Sequence, residues 1–169
     1  MSRLKEKLAE IYINRKTRKK LRSISQPLAF PIDADSIKNV LVILPGNLNY
    51  LEAANQFVRN LRETFSKWSV DIFDVDKISK EDLNRWNVPT DNILSRLIEV
   101  QYKLVIDLHT TFDLLSAFLA VMTEAPYRIN LDYMGQPYFN IQYAIAGEQE
   151  NRTYSPLLKK IKQLFIISK

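Results

Sequence analysis

Cysteine is absent from this chain, which excludes disulfides, thiolate catalysis and thiolate metal sites within it. A single histidine, His109, leaves no multi-histidine metal centre. The three glycines, Gly46, Gly135 and Gly147, stand too far apart to build a glycine-rich phosphate loop. No apolar run reaches the roughly 18 residues that a bilayer-spanning helix needs. The first residues are basic but lack an apolar core segment and a small-residue cleavage site, so they do not read as a secretory signal. The expectation is a cytoplasmic protein, soluble or peripheral at the inner face of the membrane, with no metal and no cofactor. What is present is an ordinary globular mix of 169 residues, 46% apolar and 25% charged, which suits one domain.

Charge is unevenly placed. Residues 1–25 hold nine basic side chains against two acids, net +7, whereas residues 26–169 hold 15 against 17, net −2. A basic arm on a nearly neutral body points to an anionic surface, either lipid head groups or nucleic acid. The candidate contacts are Arg15, Lys16, Arg18, Lys19, Lys20 and Arg22. Leu4, Leu8 and Ile11 recur at i, i+4 and i+7 with Tyr12 beside them, which predicts a helix. Its narrow apolar stripe either packs on the body or meets a membrane, where insertion is weak. A protein partner or self-association also stays open. Nucleic acid is disfavoured, because the body adds no basic face and no recognisable binding motif. Ser23 to Asp35, interrupted by Pro27 and Pro31, reads as a linker. The expected division is a basic helix and linker over 1–35 and an α/β domain over 36–169.

In the body, strand and helix patterns alternate. Asn39 to Leu44 is an apolar, β-branched run closed by Pro45-Gly46, which predicts a buried strand. Asn47 or Asn49 can cap a helix from Tyr50 to Phe65. Further strands are predicted at Val70–Val75, Lys103–Leu108, Tyr127–Leu131 and Tyr138–Ile145. Helices are predicted from Ser79 to Trp86, from Asp91 to Val100, from Phe112 to Thr123 and from Tyr154 to Ile167. This alternation implies a Rossmann-like three-layer sandwich with a mainly parallel, doubly wound sheet. Its ligand edge lies beyond the carboxyl ends of the strands. That edge gathers Pro45 to Asn49, the loop after Val75, His109 to Thr111, and Asp132 to Gly135.

The run YKLVIDLHTTFDLLSAFLAVMTEAPYRINLD, residues 102–132, resembles a segment of glycosyltransferase family 9, the heptosyltransferase-like enzymes. The matching elements are the strand Leu104 to Leu108, the helix Leu114 to Thr123, and Ala125-Pro126-Tyr127-Arg128-Ile129. The opening unit, VLVILPGNLNYLEAANQFVRNLRETFS, also resembles the family's first strand and helix. The resemblance spans about residues 38–135. It implies a domain like the acceptor-side half of a GT-B glycosyltransferase. In that family a Gly-Asp pair follows the first strand, and its acid is the expected base for the acceptor hydroxyl. Here the loop reads Pro45-Gly46-Asn47-Leu48-Asn49-Tyr50, without a carboxylate, and an asparagine amide takes up no proton at neutral pH. Asn130 stands where the family has a glycine. The nucleotide-sugar belongs to a second domain for which this chain has no room. The resemblance therefore implies a non-catalytic binding or interaction module. Two alternatives remain: a half-enzyme working with a separate donor domain in envelope polysaccharide synthesis, and a membrane-surface adaptor recruited by the basic arm.

The candidate ligand cleft comprises Gly46, Asn47, Asn49, His109, Thr110, Thr111 and Asp132; no residue is assigned a catalytic role. His109 follows the best strand and either orients a ligand or caps the next helix. Asp107, inside an apolar strand, needs partners if buried and reads as a brace. Arg128 is expected to pair with an acid, or else to bind an anionic group. Asp71, Asp74 and Asp76 read as the solvated end of a strand rather than a metal site. Tyr133, Tyr138, Phe139 and Tyr143 read as sheet-edge packing, with a sugar-stacking platform as the alternative.

Overall fold

The computed structural model of the protein describes residues 3–24, 27–131, 137–143 and 154–166. Their elements run α1 (Arg3–Ile24), β1 (Ile32–Asp33), β2 (Asn39–Ile43), α2 (Leu51–Thr64), β3 (Ser69–Phe73), α3 (Asp91–Glu99), β4 (Leu104–Asp107), α4 (Leu114–Met122), β5 (Tyr127–Asn130), β6 (Ile141–Gln142), α5 (Ser155–Leu164) and β7 (Phe165–Ile166). Five strands form one parallel sheet in the order β3-β2-β4-β5-β6. Val42 lies opposite Ile72 on one side and Ile106 on the other, and Ile106 lies opposite Ile129. The doubly wound α/β sandwich expected from the alternation is therefore present. No helix among the described residues is long and apolar enough to cross a membrane.

Side-chain alternation along the strands divides the core into two layers. Val40, Val42, Leu44, Leu104, Ile106 and Leu108 pack with α2 and α5 on one face. Leu41, Ile43 and Val105 pack with α1, α3 and α4 on the other. The second layer is centred on α4, whose residues 116–122 are all buried. A helix apolar all round is stable only when covered all round. The sheet, α3 and α1 supply that cover.

Several boundaries differ from the sequence expectation. The stretch from Ser79 to Trp86 forms only a 3₁₀ turn at Lys80–Asp82, capped by Ser79, before Leu83 bridges Pro89. Asp91 does not cap α3; Thr90 precedes the helix and the Asp91 carboxylate binds Lys16 instead. The closing helix ends at Leu164, and Phe165 turns into β7, parallel to β1. The end of the expected linker thus belongs to the body. Ile32 is buried opposite Phe165, and Trp68 stacks on Phe65 while its indole N–H donates to the Ala34 carbonyl at 2.9 Å. Of the strand expected over 138–145, only Ile141–Gln142 is a strand, β6; residues 138–140 form a turn and bend instead, and residues 144–145 lie outside the described residues.

The turn between α3 and β4 holds Gln101 at φ 57°, the left-handed region. A side chain there costs about 1–2 kcal/mol, and glycine's extra unfolded freedom returns about half of that. Gln101→Gly is therefore expected to stabilise the fold by about 0.5 kcal/mol. A thermal melt checks this; a lowered melting temperature contradicts it.

Candidate functional site

The chain passes from β2 to β3 through α2 on one face of the sheet. It passes from β3 to β4 through α3 on the other. The switch point therefore falls between the carboxyl ends of β2 and β4. A cleft of about 240 Å³ opens there. Its lining includes Gly46 and Asn47 after β2, Asp76 after β3, and His109, Thr110 and Thr111 after β4. Three of the four expected loops are thus brought together. Asn49 does not line the cleft: its backbone N–H donates to Asn47 Oδ1 at 3.0 Å, and Tyr50 lines the wall instead. Asp132, Tyr133 and Gly135 lie outside the described residues.

Asp107 is the brace beneath this cleft. It is 3% exposed at the end of β4. Its Oδ1 accepts from the His109 backbone N–H at 3.1 Å and lies 2.7 Å from His109 Nδ1; its Oδ2 accepts from the Ser116 hydroxyl at 2.7 Å. Sheet register fixes the carboxylate, because Asp107 pairs with Ile43. Asp113 fixes the other end by capping α4, its Oδ1 accepting from the Ser116 N–H at 2.7 Å. His109 therefore orients on Asp107 rather than capping the helix.

The remaining ring nitrogen is also engaged: the Gly46 N–H donates to His109 Nε2 at 3.2 Å. These bonds define a neutral imidazole with its hydrogen on Nδ1. Burial pulls the His109 pKa down, but the bond to Asp107 and the charges of Asp107, Asp113 and Asp76 outweigh it, so the net shift is upward. Gly46 sits tightly here. A Cβ at this position would stand 3.1 Å from Asp76 Oδ2 and 3.7 Å from His109 Nε2. The carboxylate of Asp76 thus borders the cleft instead of merely ending a strand. The signal for it was the strand order, which sets the loop after β3 beside the loop after β2. Asp71 and Asp74 are engaged elsewhere: Tyr102 donates to Asp71 at 2.9 Å, and Asp74 binds the Asp76 N–H and Lys77. No cluster among the described residues could hold a metal ion.

Arg128 corrects its expectation. It is buried in β5, and among the described residues its guanidinium donates to the carbonyl oxygens of Tyr138 and Ala125, not to an acid. Burial lowers its pKa to about 10. The aromatic set divides across the sheet: Tyr138 and Phe139 enter the α4 layer, and Tyr143 packs on the α2 layer. These three pack the core and form no common platform.

The basic helix is placed differently from its sequence reading. Ala9, Ile13, Leu21 and Ile24 pack into the α4 layer, and Thr17 is fully buried. Leu4 and Ile11, expected as the packing stripe, are 68% and 63% exposed. Lys16 pairs with Asp91 at 2.8 Å and Lys20 with Glu124, so these two are spent on docking α1. Arg15, Arg18, Lys19 and Arg22 remain exposed.

A doubly wound parallel sheet with a cleft at its switch point defines a Rossmann-like α/β protein. No protein-family model, curated protein or solved structure matches the chain.

Proposed function

We propose that the chain is a non-catalytic binding module, related to the acceptor-side domain of family 9 glycosyltransferases, that takes a small, uncharged polyhydroxy ligand at the switch-point cleft. The observation that carries this reading is the Gly46 N–H on His109 Nε2. It occupies the lone pair that a general base needs. The lining supplies hydroxyl and amide groups from Thr110, Thr111 and Asn47, with Tyr50 and Phe112 as apolar walls. Among the described residues it holds no lysine or arginine for a phosphate, and the Asp76 carboxylate repels anions. A volume of about 240 Å³ is below the roughly 300–1,000 Å³ of drug-sized sites.

Calorimetric and NMR titrations test this. Free monosaccharides are expected to shift the Thr110, Thr111 and Gly46 amides, and nucleotide-sugars to give no heat. Micromolar binding of any nucleotide-sugar would overturn the reading. One observation favours the half-enzyme alternative: Asp76 brings a carboxylate against the glycine of the loop whose own acid is missing. Under that reading a separate donor domain restores transfer, and Asp76→Asn abolishes it.

A further inference from the structure

We propose that the outward face of α1 docks the protein on an anionic phospholipid surface, independently of what the cleft binds. Two stripes run along this helix at the same spacing. Glu6, Ile13, Thr17, Lys20 and Ile24 follow i+7, i+4, i+3 and i+4, and the last four turn toward the body. Leu4, Ile11, Arg15, Arg18 and Arg22 follow the same steps from Leu4 and form the opposite stripe. All five are exposed, and Lys19 borders them.

The outward stripe contains no acid. Both acids of the helix, Glu6 and Glu10, fall on the side of the packing stripe. The structure therefore sorts the charge of the arm: Lys16 and Lys20 are neutralised by Asp91 and Glu124, while Arg15, Arg18, Lys19 and Arg22 face outward among themselves. The space between Ile11, Arg15, Arg18 and Arg22 is open and bounded by side chains of α1 alone, so head groups can reach these cations. Charge complementarity selects an anionic occupant, and excludes a second copy of the same face, whose like charges repel. The two exposed aliphatic residues in the first half of the stripe decide between anionic partners. Leu4 and Ile11 gain by entering the head-group boundary of a bilayer and gain nothing along a phosphodiester backbone.

Co-sedimentation of the full chain with phosphatidylserine-rich and with pure phosphatidylcholine vesicles tests the proposal. The wild type is expected to bind the anionic vesicles only, and to weaken as salt screens the contact. Replacing Arg15, Arg18, Lys19 and Arg22 together with glutamine is expected to lower binding by about 600-fold at low salt, since each of the four cations near the leaflet contributes about fivefold, and by less as salt screens them. These side chains are exposed, so an unchanged melting temperature verifies that the variant folds. Leu4→Ser with Ile11→Ser is expected to remove the binding that survives high salt. Equal binding by wild type and the glutamine variant overturns the proposal, as does equal binding to both vesicle types. Binding to single-stranded RNA without vesicle binding overturns it in favour of a nucleic-acid face.

Discussion

Asp107→Asn is expected to destabilise the protein by about 3 kcal/mol, although it changes one oxygen to an amide nitrogen. The carboxylate accepts three hydrogen bonds in a site that is 3% exposed. An amide keeps only one acceptor oxygen; with that oxygen on the His109 pair, its NH₂ group faces the Ser116 hydroxyl, which must turn its own hydrogen to the Asp113 carbonyl at 3.2 Å. The cost is the lost carboxylate charge opposite the His109 ring, where hydrogen bonds to a charged group contribute about 1.5–3 kcal/mol. The pH dependence gives a second signature. The folded-state pKa of His109 is raised above its unfolded value near 6.5. Its contribution to stability is therefore fully present below pH 6.5 and is lost as pH rises through the folded pKa. Removing the Asp107 charge takes away the largest raising contributions and leaves burial opposed only by the charges of Asp113 and Asp76, so this decline shrinks in the variant. Protonation also places a hydrogen on Nε2 facing the Gly46 N–H, so the Gly46 amide signal in NMR is expected to follow the His109 titration in the wild type. Urea unfolding across pH 5 to 8 checks both parts. A variant within about 1 kcal/mol of wild type, with the same pH slope, would refute the brace.

Phe118→Ala is expected to cost about 3–5 kcal/mol, the range for a fully buried aromatic ring. Phe118 is 0% exposed in α4, among Leu119, Val121 and residues of α1 and α3. The surrounding layer cannot collapse freely into the void, because α4 is gripped from several sides. The sheet lies beneath it, and Lys20 ties α1 to Glu124 just past the end of α4. The loss is expected to loosen α1 first, so amide exchange in α1 accelerates more than in β2. Phe112, half-buried against Tyr138, serves as the comparison and is expected to cost much less. Denaturant unfolding with hydrogen exchange measures this. A cost below about 1 kcal/mol contradicts the packing described here.

Much of the body was legible because its strands are unambiguous. The runs at 39–43 and 104–107 are continuous, β-branched and bounded by turn residues, and only a strand covered on both faces tolerates that pattern. The adjacency of Val42 and Ile106 followed from right-handed crossovers alone. The cleft was half legible. Gly46, Asn47, His109, Thr110 and Thr111 lie on loops that the strand order brings together. Asp76 was assigned to the solvent together with Asp71 and Asp74, as the end of a strand, because a hard metal site needs oxygens converging from several elements. Its place against Gly46 depends on the pairing of β2 with β3, a contact that no local pattern encodes.

The sequence by itself determined the alternation of elements, the parallel sheet, and the separation of a +7 arm from a −2 body. Periodicity and charge are properties of neighbours along the chain, and they survive any folding of the rest. Only the tertiary structure decided which side of α1 faces the body. Hydrophobicity favoured Leu4, Leu8 and Ile11, yet the helix turned Ile13, Thr17 and Ile24 inward. The reason is where the complementary groups lie. The apolar surface of α4 is more than 90 residues away along the chain, and the acids that fix Lys16 and Lys20 are 75 and 104 residues away. A helix with two competing stripes docks by the one whose flanking charges find partners, and those partners exist only once the sheet has assembled.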